Sequence, residues 1–209
     1  MLFRSKRVPC PTGITAIDAP DILNGGLGRG ELGVAVGNTG TGKSHFLVSV
    51  GAEALRRGKN VVHYTFELSE SAVGLRYDSN FTKVPSNEVI DRKEEVLEFY
   101  KNAELGRLII KEYPTGSASV QTLRNHIEKL LLKSFVPSVI IIDYADIMRS
   151  TRQYDSLRHE LKLIYEELRG FASEKGIPIW TASQSNKEGS TSDIVDLGNI
   201  DRKSTRLNS

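Results

Sequence analysis

Gly37-Asn38-Thr39-Gly40-Thr41-Gly42-Lys43-Ser44 is a complete GxxxxGKS stretch, and its neighbours decide the fold. Upstream, Glu31-Leu32-Gly33-Val34-Ala35-Val36 has the apolar run of a buried strand, and downstream Phe46, Leu47, Val50 and Ala54 recur at helical spacing across residues 44–57. Strand, glycine-rich turn and helix thus come in the order a phosphate-cradling loop requires. The glycines permit positive φ and a close approach to phosphate oxygens, while freed N–H groups at the helix start point at the anion. Lys43 adds a point charge, and Ser44 offers a hydroxyl to a Mg²⁺ ion bridging the outer phosphates. The stretch predicts that residues 37–44 bind a nucleoside triphosphate together with Mg²⁺.

Working outward, short apolar runs at 61–66, 108–111, 139–142 and 177–182 read as further strands. Helical patterns lie between them at 69–78, 87–103, 120–133 and 157–175. Strand and helix alternate throughout, which predicts an α/β fold with a mostly parallel central sheet, helices on both faces and a ligand at the carboxyl ends of the strands. Val139-Ile140-Ile141-Ile142 has the continuous hydrophobicity of a strand covered on both sides. Neither an internal repeat nor a low-complexity tract interrupts the pattern.

Three strand ends carry chemistry. Asp143 closes the 139–142 run and sits where a carboxylate can join Ser44 on the metal. Glu67 follows the 61–66 strand, with Ser69 placed to cap the next helix; with Asp143 committed to the metal, Glu67 is the expected base that polarises the attacking water. Gln184, in Ser183-Gln184-Ser185-Asn186-Lys187, carries an amide able to bond phosphate oxygen and water, which suits a sensor of the γ-phosphate. Lys43, Glu67 and Gln184 are accordingly the catalytic candidates.

The bulk numbers suit one domain. The chain has 209 residues, 39% of them hydrophobic, and its single cysteine, Cys10, rules out an internal disulfide. With no apolar run of spanning length and no secretory leader, the sequence points to the cytoplasm and away from a membrane. The net charge of +2 overstates basicity, because residues 201–209 read as the in-frame translation of a common sequencing-library adapter rather than as coding sequence. Setting aside the three basic residues and one acidic residue of that tail leaves 25 Lys+Arg against 25 Asp+Glu. Residues 1–200 are therefore expected to form one incomplete ATPase domain that continues beyond Ile200, with 201–209 a non-native tail.

Taken in order, PTGITAID and GGLGRGEL before the loop, GNTGTGKS, FELSE, IIIDYADIM and TASQSNKEG make residues 11–198 resemble the C-terminal RecA-like ATPase domain of replicative DNA helicases of the DnaB type, its phage-like members especially. That resemblance implies a RecA-like P-loop fold and a hexameric homo-oligomer that hydrolyses ATP between subunits while translocating on single-stranded DNA and unwinding duplex. Primase and helicase loader are the expected further partners. It also implies that Arg76, in the helix after Glu67, is a nucleotide-site or interface residue, although an exposed helical arginine is the plainer expectation. Asp146 stands where many members have glutamine, and Lys187 where many have arginine; phosphate or DNA contacts remain open at both positions.

For DNA the candidates are Arg149, Arg152 and Arg158 after Met148, then Asn186, Lys187 and the 189–193 loop, which would grip phosphates without reading sequence. Tyr144 and Tyr154 read as packing residues, and His45, His63, His126 and His159 lack metal-ligand spacing. The family's arginine finger would fall downstream of Ile200, so slow hydrolysis, an exposed sheet edge and poor ring formation are expected of this chain alone. A strand-exchange recombinase, a clock- or signalling-type regulatory ATPase, and a nucleotide-glued assembly module use the same core and remain open alternatives.

Overall fold

A computed structural model of the chain describes residues 7–152 and 156–185. Tyr154, Asn186, Lys187, the 189–193 loop and the 201–209 tail lie outside the described residues.

The first strand, β1 (Leu32–Gly37), runs through the phosphate loop into α1 (Lys43–Arg56). There follow β2 (Val61–Thr65), α2 (Glu70–Thr82), α3 (Lys93–Asn102), β3 (Leu108–Glu112), α4 (Val120–Leu132), β4 (Val139–Asp143), α5 (Leu157–Lys175) and β5 (Ile179–Gln184). The five strands pair in the order β1-β5-β4-β2-β3, and every pairing is parallel. Parallel strands put all their carboxyl ends on one side, so the ends of β1, β2, β4 and β5 converge there.

The period of two along the strands sorts the core into two layers. Val62, Tyr64, Ile140 and Ile142 face Leu123 and Ile127 of α4 and Ile164, Leu168 and Phe171 of α5. On the opposite face Val61, Val139, Ile141 and Ala182 pack on Leu47, Val50 and Leu55 of α1 and on Val73, Tyr77 and Phe81 of α2. All five residues of β4 are buried, as its unbroken hydrophobicity predicts. Gly51 lets α1 and α2 close together: a Cβ there would fall 2.1 Å from the Tyr77 hydroxyl.

The expected elements form, with some boundaries moved; α2, expected to end at residue 78, runs on to Thr82. β5 continues through Gln184 because its backbone pairs with β1 to that residue. The helix expected over 87–103 starts only at Lys93; residues 86–92 form turns, where Val89 joins Val84 and Val96 in a small separate core. Burial of those valines overrides the helical spacing of the sequence there. Ser69 caps α2 as expected, accepting from the Ala72 N–H at 3.1 Å.

Candidate active site

The phosphate loop owes its shape to its glycines. Gly40 and Gly42 take φ of 79° and 89°, and Gly42 stands at the N-cap of α1. Thr41 braces the turn from inside, its hydroxyl donating to the Asn38 carbonyl at 2.8 Å. The Lys43 ammonium lies across the loop, donating to the carbonyls of Gly37 at 2.8 Å and Asn38 at 2.7 Å. Burial lowers the pKa of Lys43, while Asp143, Asp146 and Glu67 act in the opposite direction. Three acidic side chains therefore lie within electrostatic reach of one cation.

Asp143 supplies the partner for Ser44. The Ser44 hydroxyl donates to Asp143 Oδ1 at 3.2 Å across 99 residues of sequence. Burial raises the pKa of Asp143; the Ser44 bond lowers it, Glu67 raises it, and Arg76 and Lys43 lower it. One hydroxyl and one carboxylate are hard oxygen donors beside a phosphate loop, a set that fits a Mg²⁺ ion completing its shell with phosphate oxygens and water. Among the described residues no cluster of three or more His, Cys, Asp or Glu side chains offers an all-protein metal site.

Glu67 is exposed in the turn that leaves β2. That turn is held from several sides. The Thr65 hydroxyl donates to the Leu68 carbonyl at 2.9 Å and accepts from the Leu68 N–H at 3.1 Å. The Thr115 hydroxyl donates to the Phe66 carbonyl at 2.9 Å, and the Phe66 N–H donates to the Asp143 carbonyl at 2.9 Å. Glu67 thus projects from a braced turn beside Asp143.

Gln184 ends β5, its side-chain amide donating to the Tyr144 hydroxyl at 3.2 Å. Next to it, Ser185 meets the loop: its N–H donates to the Gly37 carbonyl at 3.3 Å, and its hydroxyl bonds the Asn38 side chain. Asp146 corrects the sequence expectation. It is 4% exposed and accepts from the Tyr165 and Ser183 hydroxyls and the Gln184 N–H, which makes it an internal acceptor rather than a surface contact.

Arg76 also departs from the plainer expectation of an exposed arginine. Its Nη1 atom is buried and has no hydrogen-bond partner, and its charge acts on both Asp143 and His63. Its place between Val73 and Tyr77, two buried residues of α2, is the signal that directs it inward. His63, fully buried in β2, pairs through Nδ1 with the Tyr77 hydroxyl at 3.0 Å. Sequence reasoning passed over that pair, because a histidine inside an apolar strand reveals its partner only after folding.

His63 carries a pH consequence. Burial, then the charge of Arg76, lowers its pKa to about 3. An unfolded His63 takes its proton near pH 6.5, so between that pH and about 3 the unfolded state binds the extra proton. This contribution to stability is complete above pH 6.5 and is lost by up to about 1.4 kcal/mol per pH unit as pH falls. Urea midpoints should decline across that window in the native chain and decline less in His63→Phe. Equal slopes would contradict the assignment.

The remaining candidates are on the surface or outside the described residues. Arg149 and Arg152 are exposed on the segment leaving β4, where the Arg149 N–H is anchored to the Ala118 carbonyl at 2.9 Å, and Arg158 is exposed in the first turn of α5. Tyr144 is 7% exposed, in agreement with a packing role. Cys10 is half-buried, its thiol pushed up to about 11 by burial, which makes it a poor nucleophile. No helix among the described residues is long and apolar enough to cross a membrane.

Known proteins resemble this chain. The model of the DnaB-like helicase C terminal domain matches residues 10–203. The DnaB-like replicative helicase of Enterobacteria phage T4 is 35% identical over 190 residues, which is 86% of this chain and 40% of that protein. A probable replicative DNA helicase of Trieres chinensis is 24% identical over 172 residues, covering 78% of this chain and 37% of that one. The chain thus spans well under half the length of these relatives. Among solved structures, a DnaB-like replicative helicase described with its interactions with primase superposes at a TM-score of 0.73, with 14% identity, over 92% of this chain and 48% of its own. The ATPase domain of G40P superposes at 0.74, also with 14% identity, over 94% and 72%. At that identity the two structures speak for the RecA-like fold alone.

Proposed function

Because this chain belongs to the DnaB-like helicase C-terminal domain family, we propose that it is the ATP-hydrolysing motor module of a replicative DNA helicase, working in a homo-oligomeric ring, a hexamer, on single-stranded DNA. The observation that carries this reading is the Ser44–Asp143 hydrogen bond under the glycine loop, with Glu67 and Gln184 at the neighbouring strand ends. Each residue has a task that follows from its placement. Gly37 to Gly42 hold the triphosphate with backbone N–H groups, and Lys43 turns from the loop carbonyls to the outer phosphates. Ser44 and Asp143 would hold Mg²⁺, which when bound neutralises charge developing between the β- and γ-phosphates. Glu67, exposed and braced, accepts a proton from the attacking water. Gln184 monitors the γ-phosphate, and Arg76 supports the charge balance around Asp143.

Arg149 and Arg152 leave the strand ends on the same side as the phosphate loop, which supports their role as phosphate-backbone contacts to single-stranded DNA; Asn186 and Lys187 would extend the same surface. A primase is a fitting partner, given the interactions described for the solved relative. The test is phosphate release by this chain over a long incubation, with and without oligo(dT) and with and without EDTA. Release that needs Mg²⁺ and rises with DNA is expected. Release that ignores DNA would move the chain from motor to regulatory ATPase.

A further inference from the structure

A single buried carboxylate holds the end of β5. Asp146 accepts the Tyr165 hydroxyl on Oδ1 at 2.6 Å, and on Oδ2 it accepts the Ser183 hydroxyl at 2.8 Å and the Gln184 N–H at 3.0 Å. Thr181, fully buried, ties the same two segments: its hydroxyl donates to the Ile142 carbonyl at 2.9 Å and accepts from the Ala145 N–H at 3.1 Å. One residue past Gln184, Ser185 is bonded to Gly37 and Asn38 of the phosphate loop. Residues 183–185 therefore bridge two anchors, Asp146 at one end and the phosphate loop at the other. Asp146 belongs to the 3-10 turn Ala145–Ile147, three residues before Arg149. A displacement of Gln184 strains the main-chain bond that the Asp146 carboxylate makes to β5 and pulls on the turn leading to the exposed arginines. In a buried setting the cost of breaking that bond is high, because both the N–H and the carboxylate lose their partner.

We propose that Asp146 is a positioning residue for triphosphate sensing: it sets Gln184 against the phosphate loop and connects that residue to the segment carrying Arg149 and Arg152. The inference rests on the proposed role of Gln184 as the sensor. Its requirement is geometric. An asparagine at 146 can place its carbonyl oxygen toward Ser183 and the Gln184 N–H and its amide nitrogen toward the Tyr165 hydroxyl, which then accepts. An alanine can do neither.

The experiment measures, on this chain with Mg²⁺, the affinity for a non-hydrolysable ATP analogue relative to ADP, together with the thermal midpoint of each variant. Gln184→Ala should lower the ATP-analogue preference, and Asp146→Ala should lower it to a similar extent, on the order of tenfold. The double variant should lower it no further, since both changes remove one device. Asp146→Asn should retain the preference to within about twofold, by keeping the acceptor toward Gln184. A thermal shift with an unchanged preference in Asp146→Ala would reduce Asp146 to a stabilising contact and overturn the proposal. So would additive losses in the double variant, or Asp146→Asn behaving as alanine does, which would assign the effect to charge near Lys43. If Gln184→Ala itself leaves the preference untouched, the sensor role fails and this proposal with it, whereas a loss in Gln184→Ala beside a silent Asp146→Ala refutes the positioning role alone. Should Asp146→Ala not fold, Asp146→Leu, which fills the site without offering an acceptor, takes its place and is expected to lower the same preference; no change in it would overturn the proposal.

Discussion

Lys43→Ala should weaken binding of a Mg²⁺–ATP analogue by about a hundredfold or more. The side chain already lies in the loop, its ammonium donating to two loop carbonyls, so little ordering is needed to transfer those donors to phosphate oxygens. Two charge-assisted bonds at roughly 1.5–3 kcal/mol each would account for a loss of that size. The surroundings add to the effect. Asp143, Asp146 and Glu67 all act on Lys43, and without the lysine a triphosphate would face those carboxylates with one cation fewer. Lys43→Arg should recover little, because a planar guanidinium cannot occupy a cradle shaped to a single ammonium. Fluorescence titration with a labelled ATP analogue measures the effect; a loss of less than about threefold would remove Lys43 from phosphate binding.

Glu67→Gln should separate binding from hydrolysis. The amide is nearly isosteric, and the turn carrying residue 67 is held by Thr65, Thr115 and the Phe66–Asp143 main-chain bond, none of which involves the Glu67 side chain. Affinity for the ATP analogue should therefore stay within a few-fold of the native value. Single-turnover phosphate release, by contrast, should fall by about 10²–10⁴, the range a positioned general base contributes. Asp143 cannot substitute, since its Oδ1 atom is bonded to Ser44 and its carboxyl is buried. Undiminished release in Glu67→Gln would remove this residue as the base.

Much of the site was legible in order along the chain because its signals are local. A glycine-rich turn between strand and helix depends on residues within one segment, and Asp143, Glu67 and Gln184 each lie within two residues of the end of an apolar run. Parallel pairing then brings those ends to one side of the sheet without further information. The short valine core around Val84, Val89 and Val96 was not legible, since the burial that shortened the expected helix depends on contacts across turns.

By itself, then, the sequence determined the phosphate loop, the alternation of strand and helix, and the identity of the residues at the strand ends, since spacing and periodicity are properties of contiguous chain. Only the tertiary structure decided which of them meet. The order β1-β5-β4-β2-β3 puts Ser44 on Asp143 and Ser185 on Asn38 across 99 and 147 residues. Helix packing turned Arg76 inward and gave His63 its tyrosine, and the closing of α5 and β5 over the turn after β4 made Asp146 a buried acceptor instead of a surface contact. The physical reason is the same in each case. A polar side chain's role is set by the partners that satisfy it once water is excluded, and those partners arrive from distant segments only when the sheet has formed.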